Sequence, residues 1–323
     1  MATVPDWPNE DGVEGESRRA ATEVQLWWWN AGCGLLHLFQ AIAVLAASQT
    51  VTNLKAFKIP LLTVIPTWVR GFPEPALQVR GALPFVAVTS AFAFLSAFAH
   101  GVVLLGWKQY VHDLKVNQIN RFRWYEYALS SSLMIALIAM LFGMWDVSGG
   151  AVGGATAPFE RSSVSPPPPH THTPFTHQII SLVLLASVNA AMCLFGMDHE
   201  LLNGNRAAEH VQWEPFWFGC FAGIVPWAAI IAYLAASPSL SSVPPFVWAI
   251  IVIYFVFFNT FPLNMYLQYR RVGLFSDKRW GFQGGGYYFG ERMYQVQSLV
   301  SKSLLLWLVV GGSNQPSAVT RTG

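Results

Sequence analysis

A chain of 323 residues with 53% hydrophobic, 15% aromatic and only 11% charged side chains is too apolar for a soluble domain and reads as an integral membrane protein surrounded by lipid. Its net charge of +2 comes from dispersed bases, which excludes an electrostatic surface for nucleic acid. Cys33, Cys193 and Cys220 fall in apolar stretches at spacings of neither a zinc site nor a disulfide framework, so no metal is expected and the thiols are read as packing residues.

The first 25 residues carry six acids against Arg18 and Arg19, without the apolar core and cleavage site of a secretory signal. Residues 1–25 are therefore read as an acidic N-terminal extension, and the first apolar segment as an uncleaved anchor. A helix needs about 20 apolar residues to cross the hydrocarbon core. Seven segments meet that requirement, at 26–50, 82–107, 122–145, 177–199, 215–236, 245–268 and 287–311. The expected fold class is an all-α membrane protein, a seven-transmembrane-helix bundle over residues 26–312 with a C-terminal tail at 313–323.

The connection 51–81 is punctuated by Pro60, Pro66, Pro73 and Pro75. Leu61 to Ile65 and Thr67 to Val69 have strand composition between turn residues, which suggests a small hairpin there. Residues 147–176 are rich in Gly, Ser and Pro and read as a flexible loop. Lys and Arg number eleven on the N-terminal side of the spans and six on the other. By the positive-inside rule the N-terminus is expected inside and, with seven spans, the C-terminus outside.

Four ionisable residues stand well inside the spans: His37, His100, Glu126 and Lys302. A charge near the bilayer centre costs about 3 kcal/mol on insertion scales and marks a functional candidate. Glu126 is the carboxylate read as lying clearly within an apolar span, and it is paired with Lys302, because a buried cation needs an anionic partner. Two readings follow. The pair is either a structural ion pair, or Lys302 is a Schiff base to a carbonyl cofactor such as retinal with Glu126 as its counterion. By these boundaries Glu126 lies near one end of its helix and Lys302 nearer the middle of its own, a mismatch that the lysine's reach toward its helix N-terminus reduces.

Ser298 lies one turn before Lys302 on the same face, placing a hydroxyl beside the nitrogen. His37 has Gln40 on its own face, and His100 has Ser96. With Asn189 they suggest a hydrated, proton-accepting cavity. Gly219 and Gly223 form a GxxxG pair that fits a dimer interface, internal packing or ligand clearance equally. Glu214 reads as an ordinary interfacial charge.

These residues resemble the heliorhodopsins, seven-helix retinal proteins with inverted topology. The stretch Asn120 to Ser132 is similar to the family's third helix, Pro215 to Trp227 to its fifth, and Ser298 to Lys302, as SLVSK, to its retinal-lysine segment. The likeness spans all seven segments. It implies a rhodopsin-like bundle with all-trans retinal on Lys302, Glu126 as counterion and Ser298 beside the nitrogen. Met192, Gly196, Trp217, Pro226, Phe255 and Phe258 are then expected to line the chromophore pocket, with His37, Gln40, Ser96, His100 and Asn189 in the polar cavity. It further implies a homodimer and, in place of enzymatic turnover, light reception passed to a downstream partner whose identity is open. A light-gated proton channel is the alternative, and a seven-helix receptor or transporter without retinal is a third reading.

Overall fold

The structure, a computed structural model, describes residues 12–69, 71–144, 182–236 and 243–315. Residues 1–11 of the acidic extension, the whole of the 147–176 loop and the chain after residue 315 lie outside the described residues. Among the described residues seven helices are long and apolar enough to cross a membrane. They are α1 (Val13–Thr50), α2 (Phe85–Leu105), α3 (Arg121–Leu141), α4 (Leu182–Asn203), α5 (Glu214–Ala236), α6 (Pro245–Arg270) and α7 (Gly285–Ser313). Lipid offers backbone groups no hydrogen bonds, so apolar runs of this length satisfy their amides internally as helices.

Helix ends follow local chemistry. Helix α1 begins well before the expected residue 26, because Glu14 and Glu16 favour the positive end of its dipole and Arg18 pairs with Glu14 at 2.5 Å. Its 38 residues make a rod of about 57 Å at 1.5 Å per residue. That exceeds a hydrocarbon core of about 30 Å, so part of α1 stands clear of the bilayer. Asn120 caps α3 by accepting the Arg123 amide at 3.1 Å. Helix α6 starts with Pro245 in its first turn and closes at Arg271, whose φ is 51°. The expected start of the fourth span, residue 177, lies outside the described residues, and α4 runs on to Asn203.

The 51–81 connection does hold a hairpin, with a different pairing. Strand β1 (Lys58–Val69) runs antiparallel to β2 (Phe72–Pro84), with Val69 opposite Phe72. Both segments singled out from the sequence therefore belong to one strand, joined through Pro66. A two-stranded ribbon leaves each strand one unpaired edge, where proline's missing N–H costs no ladder bond. Gly71 turns the chain at φ 84°, a conformation glycine adopts without a Cβ clash.

Around the bundle α5, α4, α3, α2 and α1 pack as successive neighbours, and α7 lies between α1 and α6 while also touching α2. The two ends of the bundle differ. At the hairpin end the core is mainly apolar, built from residues such as Val44, Phe85, Ile138, Ile230 and Val309, with the buried hydroxyls of Ser48, Thr89, Ser90 and Ser313 among them. At the opposite end aromatic clusters around Tyr110, Tyr288, Trp124 and Tyr294 surround buried Arg123, Glu200 and Glu291.

Candidate functional site

Lys302 lies between these two ends. Its Nζ is 2.5 Å from Glu126 Oε1, with side-chain exposures of 3% and 9%, so the pair is shut away from solvent. Nζ also donates to Ser298 Oγ at 2.8 Å, and Ser96 Oγ donates to the same Glu126 oxygen at 2.6 Å. The Tyr127 ring centroid is 5.5 Å from Nζ. Removing either member of such a pair leaves an uncompensated buried charge, a cost of about 3–5 kcal/mol.

The difference in height is bridged between α3 and α7. Asn120, just before α3, donates to Glu291 at 2.7 Å, which sets the two helices level there. Glu126 is six positions beyond Asn120 and Lys302 eleven beyond Glu291. At 1.5 Å per residue the remaining offset is about 7 Å, which the lysine side chain covers by reaching back toward the start of α7.

The polar cavity residues divide into two groups. His100 Nδ1 lies 3.0 Å from Asn30 Oδ1, and the His37 ring stacks on His100 with centroids 5.8 Å apart. Gly34 makes that approach possible: a Cβ there would meet His100 Cβ at 2.9 Å. Both His37 nitrogens are buried and have no hydrogen-bond partner among the described residues. Gln40 accepts from Ser303 Oγ at 2.9 Å, one residue past the lysine. Asn189 instead donates to Ser131 at 2.7 Å and Ser132 at 3.2 Å on α3. His37, His100, Ser96 and Gln40 thus gather between α1, α2 and α7, while Asn189 ties α4 to α3.

The six expected chromophore contacts are not equally placed. Met192 and Gly196 lie one turn apart on α4, and a Cβ on Gly196 would strike the six-membered ring of Trp124. Pro226 is buried within α5, and Phe258 packs edge-on to Trp227 at 5.5 Å. Trp217 and Phe255 are 59% and 49% exposed on outer faces, and the structure does not bring them to Lys302. Buried Trp227 and Tyr254 occupy the inward faces of the same helices, and Tyr254 donates to the Ser301 carbonyl. Gly219 and Gly223 face Met192 and Phe195 of α4, so the GxxxG pair serves packing within the chain.

A second charged cluster was not visible in the sequence. Arg123 pairs with Glu200 at 2.9 Å and with Glu291, and all three are buried. Trp124 Nε1 donates to Glu200, Tyr287 Oη donates to it at 2.6 Å, and the guanidinium lies 4.0 Å from the Tyr294 ring centroid. Glu126 is therefore not alone as a carboxylate inside the spans. Glu200 and Glu291 sit near helix ends, where hydropathy alone reads an interfacial charge; the available signal was Arg123, a base in the first turn of an apolar helix that needs an anion.

A family model described as Heliorhodopsin matches residues 26–151 and 176–313. The chain belongs to the heliorhodopsin family. No curated protein matches it. As a heliorhodopsin it is a retinal-type, light-sensing, multi-pass integral membrane protein. The donor set fits that cofactor: an amine for a carbonyl carbon, a carboxylate and a serine beside it, and aromatic side chains from α5 and α6 near the same depth. The match leaves out 152–175, which belongs to the Gly, Ser and Pro-rich loop.

Proposed function

We propose that the chain is a photoreceptor in which all-trans retinal is held by Lys302 with Glu126 as counterion, and in which loss of the proton from the lysine nitrogen drives a conformational signal. Retinal, bound there as a Schiff base, supplies light absorption and a light-driven change of shape. The observation that carries this reading is the enclosed contact of Lys302 Nζ with Glu126 and Ser298. Glu126 holds negative charge beside the nitrogen and favours its protonated form, while Ser96 and Ser298 fix the carboxylate and the amine in register. When the nitrogen gives up its proton, the attraction between α3 and α7 falls, which biases a two-state helix arrangement.

The excess of Lys and Arg on one side supports a cytoplasmic N-terminus and an extracellular C-terminus, and the reading extends to a homodimer in the membrane. Purified protein expressed with all-trans retinal should show a visible band that bleaches with hydroxylamine under light, and Lys302→Ala should lack it. Folded protein without such a band refutes the proposal. The cavity lined by His100, Glu126 and Glu291 favours a light-gated proton channel as the second reading. Photocurrent in a voltage-clamped cell decides for the channel, and its absence decides for the receptor.

A further inference from the structure

The cavity beside Glu126 leads to the second charged cluster. About 50 Å³ of space, room for a few waters, runs from Ser96, His100, Glu126 and Ser298 to Asn120, Arg123, Glu291 and Gln295. Arg123 holds two carboxylates with one positive charge, so the cluster carries one formal negative charge too many for a buried site.

The two carboxyls are differently placed. Glu200 receives Arg123, Trp124 and Tyr287, and all three donors aim at its oxygens. Glu291 receives Asn120 and Arg123 and is the one that lines the cavity. Gln295, one turn further along α7, lines the same cavity, and among the described residues its buried Oε1 has no donor, as Arg123 Nε has no acceptor. An acceptor lacking a donor beside a cluster lacking a positive charge is the environment that a proton satisfies.

We propose that Glu291 is the terminal acceptor of the proton lost from Lys302, a role that rests on the photoreceptor reading above. The N–H bond at Lys302 breaks and its electron pair stays on nitrogen. The proton passes by way of Glu126 Oε1, 2.5 Å away, and through the cavity, and an O–H bond forms on Glu291. Nothing is oxidised or reduced, and the proton remains inside the protein. The other titratable groups facing the cavity are His100, Tyr110, Arg123, Glu126 and Tyr127. Protonating His100 would create a new buried cation, whereas protonating Glu291 cancels an excess negative charge.

Light-minus-dark infrared difference spectroscopy of the full-length, retinal-loaded protein tests the assignment. A carbonyl-stretch band of a newly protonated carboxylic acid is expected, and it should be lost in Glu291→Gln. Glu291→Asp, which retains a carboxyl, should move the band in frequency and covers the case in which the glutamine variant fails to fold. A band that survives unchanged in Glu291→Gln, or is unmoved in Glu291→Asp, overturns the proposal while a normal visible band leaves the photoreceptor reading intact. Acid titration of retinal-free protein, followed in the infrared, is a readout independent of the pigment. It should show a carbonyl band that Glu291→Gln removes, and an identical titration in both proteins overturns the proposal.

Discussion

Replacing Glu126 with glutamine keeps the shape of the side chain and removes the negative charge 2.5 Å from Lys302 Nζ. In the ground state of the bound pigment the positive charge is centred on the nitrogen, and excitation moves it away along the conjugated chain. At an effective dielectric of about 20, charges about 4 Å apart attract by about 4 kcal/mol, and charges about 8 Å apart by about 2 kcal/mol. The carboxylate therefore stabilises the ground state over the excited state by about 2 kcal/mol on the same Coulomb scale. Glu126→Gln should lower the excitation energy by that order, which an absorption spectrum of the purified pigment reads as a shift to longer wavelength. An unchanged band, or one at shorter wavelength, would show that the negative charge at the nitrogen comes from elsewhere.

Ser96→Ala removes one donor to the same carboxylate oxygen. A hydrogen bond to a charged group contributes about 1.5–3 kcal/mol, and its loss frees Glu126 for the nitrogen, so the band should move opposite to that of Glu126→Gln; the same spectrum checks it. Arg123→Gln leaves Glu200 and Glu291 without their cation and should cost about 3–5 kcal/mol or more, seen as a lower melting temperature in detergent. Arg123→Lys should not restore it, because an ammonium cannot bridge two carboxylates and lie flat on Tyr294 together. Gly196→Leu drives a side chain into Trp124 and should lower pigment yield through overpacking of about 1–3 kcal/mol, whereas Gly311→Ala, at open space, should match the parent protein.

The seven spans and the Lys302–Glu126–Ser298 set were legible because one charge in an apolar run has few explanations. The inward face of each helix was harder to read. In lipid the outer surface is as apolar as the core, so nothing in the linear order around Trp217 or Phe255 distinguishes them from Trp227 and Tyr254, which the structure buries. Glu200 and Glu291 escaped for a related reason. Their burial depends on Arg123 arriving from another helix, and hydropathy summed along one segment contains no such information. The hairpin was legible in composition but not in pairing, since the register depends on where Gly71 turns the chain.

The close-packed core at the hairpin end has a consequence for traffic through the protein. Val44, Phe85, Ile138, Ile230 and Val309 pack that half closely, and the hydroxyls of Ser48, Thr89 and Ser90 buried there are spent on carbonyls of their own helices, while the cavity joins Glu126 to Glu291 in the other half. On the photoreceptor reading a proton released at Lys302 moves toward Glu291, and a through current would first require those close-packed side chains to part and admit water.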